Sequence, residues 1–171
     1  MRKSKMELPQ FVIWAKGIIE NFGYLGVFFI NFIGCATILF PLPAAPLVFI
    51  FGAVLNPLFV AIFAALGATL GELTGYGIGF GGKKILEKKY DSLFRKGKEW
   101  FEKGRGFLLI IFFAATPLPD DITGILGGLF KYNLRKFILA SFLGKMIMNL
   151  ALAFGGFYGI SWILNIFNIS F

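Results

Sequence analysis

Histidine is absent from this chain of 171 residues, and cysteine occurs once, at Cys35. These two shortages exclude the usual zinc sites, a disulfide framework, and His-based nucleophilic or acid–base chemistry. Cys35 lies in an apolar run and reads as a small packing residue. Charge is scarce too, at 15 % of residues against ~25 % in soluble domains. No charged side chain occurs between Asn21 and Gly71, and none after Lys145. What fills the space is apolar: 57 % of the chain, including 23 Phe, at a mean hydropathy of +0.78. One small soluble core could not hide so much apolar surface, so lipid is the natural solvent for the remainder.

The few charges are clustered. Four basic residues fall in the first 16, nine between Lys83 and Arg105, three at Lys131, Arg135 and Lys136, and Lys145 stands alone. The clusters alternate with apolar stretches, which is topology marking by the positive-inside rule and not a nucleic-acid face. The N-terminus and the 83–106 segment are therefore expected in the cytoplasm of an integral membrane protein of the cell (plasma) membrane. The apolar run near the N-terminus is interrupted by Glu20 and closed by no good small-residue cleavage site, so it reads as uncleaved.

A hydrocarbon core of ~30 Å needs ~20 residues of apolar helix. Residues 11–22 are amphipathic and expected at the interface. Residues 23–40 span or nearly span, and 58–80 span after an Asn56-Pro57 turn. Between them Pro41-Leu-Pro43-Ala-Ala-Pro46 breaks the helix at membrane depth, making 47–55 the second arm of a re-entrant hairpin. Leu86, Tyr90, Leu93, Phe94 and Phe101 recur at helical spacing among lysines, which predicts a basic amphipathic surface helix over 83–106. Residues 107–128 re-enter the membrane, broken at Thr116-Pro117-Leu-Pro119-Asp120-Asp121, and 137–164 form a last span.

The two halves repeat. Pro41 and Pro117 lie 76 residues apart, as do Gly52 and Gly128; Gly67 and Gly144, and Glu72 and Asn149, lie 77 apart. Residues 53–58 have no basic residue whereas 129–136 have three, so the hairpins are expected to open to opposite sides. The expected fold is an all-α polytopic membrane protein, one domain, with an inverted repeat (about 23–82 and 107–164) of two re-entrant helical hairpins, transmembrane helices and the amphipathic surface helix. Paired broken segments of this kind point to a transport site at the midplane.

Three acids fall in membrane segments. Asp120 and Asp121 stand in the second break, where acids also complement a helix N-terminus. Glu72 adjoins Gly67, Gly71, Gly75 and Gly79, a small-residue face for close helix packing, and Lys145 is its expected partner. Three acids against one lysine favour protonation of an acid or a bound cation. The sequence Gly77-Ile-Gly79-Phe-Gly81-Gly82 fits a dinucleotide-binding pattern but has no βαβ frame. Thr74-Gly-Tyr-Gly77 lacks the valine and inner helix of a potassium filter.

Pro41-x-Pro43 with Gly52, Gly67-Ala-x-x-Gly71-Glu72-x-x-x-Tyr76-x-Ile78-Gly79 with Gly82, Pro117-x-Pro119 with Gly127-Gly128, and Phe137 with Gly144 follow one another over residues 23–155. In that order and spacing they resemble the DedA family, also called the SNARE-associated Golgi or VTT-domain family. The resemblance implies two re-entrant hairpins from inverted repeats. It also implies transport or scrambling of lipids, including polyprenyl phosphate carriers, often linked to the proton gradient. The family's hairpin acid falls here on Ala45 and its hairpin arginines on Ala114 and Asp120, as in an acidic branch. Lys145 and the hairpin helix N-termini remain to meet an anion.

The expected function is thus a proton-linked transporter, flippase or scramblase of a lipid or lipid phosphate. Glu72, Asp120 and Asp121 would couple protons, Lys145 would serve as counter-ion or anion contact, and Pro41, Pro43, Pro117 and Pro119 would form the breaks. The alternative is a cation- or proton-coupled carrier of a small soluble solute. A protein whose acids only lock helices is a third reading. A membrane enzyme is not expected, nor a cofactor or metal. The expected partners are membrane lipids, a lipid phosphate and protons or cations, with self-association into a homo-oligomer left open.

Overall fold

The computed structural model describes the backbone of residues 10–37, 44–89, 91–117 and 121–166, and these contain no strand. Seven helices follow one another among them: α1 (Gln10–Ala36), α2 (Ala44–Val54), α3 (Pro57–Lys89), α4 (Asp91–Trp100), α5 (Gly106–Ala114), α6 (Asp121–Leu129) and α7 (Leu134–Ile166). A π-helical turn, Phe101–Arg105, joins α4 to α5. Pro41, Pro43, Pro119 and Asp120 lie outside the described residues.

Two helices have the length and composition to cross a bilayer, over Pro57–Gly82 and Leu134–Gly159, 26 residues each. At ~1.5 Å per residue each reaches ~39 Å, more than a ~30 Å hydrocarbon core requires. The others are shorter. α1 changes direction at Gly23, whose φ of 49° and ψ of −128° are non-helical. α2 has 11 residues and α6 nine, lengths of roughly 16 and 14 Å. Large apolar side chains point outward at helical spacing: Phe22, Leu25, Phe29 and Ile33 on α1, and Leu139, Leu143 and Ile147 on α7. Exposed apolar stripes of this extent mark an apolar surrounding or an interaction face.

The helices entering the two breaks end alike. Thr37 Oγ1 donates to the Ile33 carbonyl (2.8 Å) and Thr116 Oγ1 to the Phe112 carbonyl (2.9 Å). Thr74 Oγ1 on α3 donates to the Ala36 carbonyl (3.1 Å), so α3 satisfies the open end of α1.

The segment predicted as a separate surface helix from Lys83 differs. α3 runs through Gly81-Gly82 and Lys83 to Lys89 without a break, because no proline stops it and lysine is a good helix former outside lipid. The amphipathic helix is the shorter α4, which is anchored by Phe101, 1 % exposed and packed against Phe130 and Tyr132. Lys131, at φ 53°, and the bonds Lys131 N–H to Gly128 O and Tyr132 N–H to Gly127 O close α6 in a left-handed C-cap.

Glycine sets the helix seams. A methyl group at Gly67 or Gly71 would strike the α1 backbone at Phe28 or Phe32, and at Gly79 the Ile125 carbonyl of α6. Gly144 meets Ile111 and Ala114 of α5, and Gly156 meets the Phe49 carbonyl of α2. Gly128 meets Tyr76, and Gly52 meets Ala153. Four of these contacts, those of Gly52, Gly128, Gly79 and Gly156, exchange under the sequence offsets. Gly52–Ala153 becomes Gly128–Tyr76, and Gly79–Ile125 becomes Gly156–Phe49, with offsets of 76 in the short arms and 77 in the long helices. The short arm of each half is thus seated on the long helix of the other.

Two apolar cores result. Val60, Ala61 and Ala64 of α3 pack with Leu47, Val48 and Phe51 of α2 and with Ala153. Phe137 and Ala140 of α7 pack with Ile110, Phe101 and Tyr132, joined by Leu73, Tyr76 and Leu126. Between the cores, where α3 crosses α7, the packing turns polar.

Candidate functional site

Glu72 is buried at 2 % exposure near the middle of the α3 span, and Lys145 at 6 % near the middle of the α7 span. Lys145 Nζ lies 4.0 Å from Glu72 Oε2. Ser141 Oγ, one turn before Lys145, donates a short hydrogen bond to the same oxygen. Thr123 Oγ1 of α6 donates to Glu72 Oε1 at 3.3 Å. One carboxylate therefore gathers two hydroxyls and an ammonium from two other helices. A charge at membrane depth is costly unless it is paired and hydrogen-bonded in this way.

Lys145 reaches a third helix. Its Nζ lies 3.6 Å from Cys35 Sγ near the end of α1. Asn149, one turn further on, returns its Nδ2 to the Lys145 carbonyl at 2.8 Å. Asn31 does the same to the Val27 carbonyl at 2.8 Å, which satisfies a buried amide within its own helix. Thr69 differs from these. It is 3 % exposed, and its hydroxyl has no hydrogen-bond partner.

The level of Thr69 follows from the α3–α7 crossing. The Tyr76 ring packs on Phe137 at 5.1 Å, and Glu72 meets Ser141. Four residues back on one helix match four forward on the other, so the two run antiparallel. The next rung sets Ala68 and Thr69 level with Lys145. Under the offset of 77 that relates the long helices, Ala68 is itself the counterpart of Lys145. Lys145 therefore stands at the centre of the exchange.

The same offsets show that the chemistry is one-sided. The counterparts of Glu72, Ser141 and Thr123 are Asn149, Ala64 and Leu47, and Leu47 and Ala64 belong to the first apolar core. The ionisable centre occurs once among the described residues.

Of the residues singled out from sequence, Glu72 and Lys145 meet as expected. Asp121 is half-buried and opens α6. Its carbonyl faces Gly75 at a van der Waals distance, one turn from Glu72. Pro117 is exposed in the turn after α5. The four glycines do not share one neighbour: Gly67 and Gly71 face α1, while Gly75 and Gly79 face α6. Every fourth residue advances ~40° around an α-helix, so three steps carry the stripe from one neighbour to the next. Sequence reasoning missed Thr69, Thr123 and Ser141. Among the described residues no group of three or more Cys, Asp or Glu could hold a metal ion. Tyr76 OH donates to the Tyr132 carbonyl at 2.7 Å, and burial raises the Tyr132 phenol above its ordinary pKa.

The fold sets a polar centre between two apolar helices long enough to cross a bilayer. The VTT domain matches residues 42–158, more than two-thirds of the chain, and the chain belongs to that family. It is similar to an uncharacterized protein of Methanocaldococcus jannaschii, 24 % identical over 147 residues, covering 83 % of this chain and 89 % of the relative. It is also similar to alkaline phosphatase-like proteins of Lactococcus lactis subsp. cremoris and subsp. lactis. Each is 28 % identical over 165 residues, covering 85 % of this chain and 75 % of the relative. No solved structure matches it significantly.

Proposed function

We propose that this protein is a proton-linked flippase or scramblase of a lipid or lipid phosphate, built from an inverted repeat with two re-entrant hairpins. The observation that carries the reading is the Glu72–Lys145 centre, buried where two spanning helices cross. An ionisable pair at that depth is a functional site by default. The exchanged glycine contacts and the short helices α2 and α6 support the repeat and the hairpins. The apolar outer stripes would keep the lipid tails in the bilayer while the headgroup passes inside.

Glu72 would take and release the proton, and Asp121 would form part of its route at the α6 end. Lys145 would act as counter-ion. We assign no catalytic role to the centre: Glu72 is surrounded by hydroxyls and an ammonium, with no His in the chain to serve as base. The acidic second break, without arginine, favours as a second reading a cation- or proton-coupled carrier of a soluble solute.

The test is reconstitution of the protein in vesicles carrying labelled lipids under a pH gradient. Lipid reorientation should follow the gradient and fall at least about tenfold in Glu72→Gln and Asp121→Asn. Substrate-driven ion flux with unchanged lipid orientation would favour the second reading. Equal lipid rates in wild type and both variants would refute the first.

A further inference from the structure

We propose that a proton on Glu72 and an oxyanion on Lys145 bind together or not at all, with the unpartnered Thr69 hydroxyl as the anion's second donor. This deepens the proposed function and rests on it.

The argument is charge balance. With Glu72 ionised, its −1 offsets the +1 of Lys145 at 4.0 Å. An anion arriving then would leave the centre at −1 within the protein interior. A proton arriving alone would leave it at +1. Both together leave Glu72 neutral and Lys145 paired to the anion, with the net charge unchanged. Low-dielectric surroundings penalise either half-filled state. The two ligands are therefore positively coupled, and coupling of binding free energies is reciprocal.

Thr69 supplies the independent sign of a guest. Its hydroxyl is buried without a partner, which is uncommon for a polar group in a native interior. It stands one turn from Glu72 on α3 and, by the rungs of the α3–α7 crossing, level with Lys145. Its hydroxyl and the Lys145 ammonium together offer an oxyanion two donors. The other threonine hydroxyls near the breaks are already engaged with carbonyls. Among the described residues, the charged or titratable groups around Glu72 are Lys145 on α7, Cys35 near the end of α1, Tyr76 one turn along α3 and Asp121 at the start of α6; α2 and α5 carry none, and the balance counts the Glu72–Lys145 pair alone, Asp121 standing outside it in every state compared.

The ligand chemistry is that of a tetrahedral oxyanion, either a lipid phosphodiester or free phosphate. Two probes separate these sources: dihexanoyl phosphatidylglycerol, a monoanion across the working range, and inorganic phosphate. Binding is measured by calorimetry on the whole protein in zwitterionic nanodiscs, in buffers of different ionisation enthalpy. The expected result is uptake of one proton per phosphatidylglycerol bound. Its affinity should fall about tenfold per pH unit once Glu72 is ionised in the free protein.

Glu72→Gln should bind with no proton uptake and, near pH 8, at least about tenfold more tightly than wild type. Thr69→Val should weaken binding about 3- to 10-fold while keeping the proton linkage. Tighter binding of the lipid assigns the site to a headgroup, and tighter binding of phosphate to the free ion. Either result supports the coupling. Wild-type affinity that ignores pH, or Glu72→Gln that binds no better than wild type, would overturn it. No effect of Thr69→Val would remove that residue from the site. Should Glu72→Gln not fold, the wild-type pH profile decides alone. Because binding is read without flux, this inference can fail while transport stands, and the reverse.

Discussion

Replacing Gly128 by alanine should cost far more than the same change at Gly77. Both glycines lie in helices of similar apolar character. A Cβ at Gly128 would meet the Tyr76 carbonyl oxygen and come within 2.7 Å of the Phe80 nitrogen and 2.8 Å of the Tyr76 carbonyl carbon. Ordinary contact between such atoms needs ~3.5 Å or more. α6 must therefore move about 1 Å from α3, and because the obstacle is backbone, no rotamer change relieves it. Overpacking of this kind costs about 1–3 kcal/mol. The shift would also stretch the Thr123–Glu72 bond, already 3.3 Å long. At Gly77 a Cβ meets nothing within 4 Å, and helix propensity alone predicts a change within about 1 kcal/mol, in the stabilising direction. The counterpart Gly52→Ala, against the Ala153 carbonyl oxygen and with the Ala153 Cα at 2.5 Å, should behave like Gly128→Ala. The measurement is the unfolding equilibrium in mixed micelles for all three variants. Equal stabilities of Gly128→Ala and Gly77→Ala would show that α6 does not sit on α3 as described, and the exchanged seams would fall with it.

Two further outcomes test the packing around the centre. Tyr76→Phe should lose about 1 kcal/mol, the net worth of its bond to the Tyr132 carbonyl, while its ring keeps its place on Phe137; a loss above roughly 3 kcal/mol would mean the ring itself had moved. Glu72→Leu and Lys145→Leu should each destabilise by about 3–5 kcal/mol through the charge left behind. The double variant should cost less than their sum by at least about 1 kcal/mol, and strict additivity in that cycle would deny the pair at 4.0 Å any energetic coupling.

Much of this arrangement was legible in the chain. The all-helical fold and the meeting of Glu72 with Lys145 follow from residue types that membrane interiors tolerate only for a reason, while Pro41, Pro43 and Pro119 lie outside the described residues. The hydroxyls were not legible. A serine or threonine in an apolar helix commonly bonds back to its own helix, as Thr37 and Thr116 do, so residue type alone could not set Thr123 and Ser141 apart. The repeat could have: their counterparts are Leu47 and Ala64, and a polar residue replacing an apolar one between matched halves marks a place where the chemistry diverged. The direction of the glycine stripe was hidden by its apparent period of four, because the drift around the helix only matters once neighbours are known.

The glycine seams also determine where motion can occur. Gly67, Gly71, Gly79 and Gly128 join α3 to α1 and α6 at backbone distance, while Gly52, Gly144 and Gly156 join α7 to α2 and α5. Each set is a three-helix unit made from both halves of the sequence. Backbone-tight seams interlock and resist sliding. The two units meet through the two apolar cores and the polar centre at the α3–α7 crossing. Glu72 and Thr123 belong to one unit, and Ser141 and Lys145 to the other. A rocking of the units by an ångström or two would therefore part Glu72 from Ser141 and Lys145 while leaving Thr123 in place. On the proposed function, a charge pair divided between two such units is one whose strength depends on what is bound between its members.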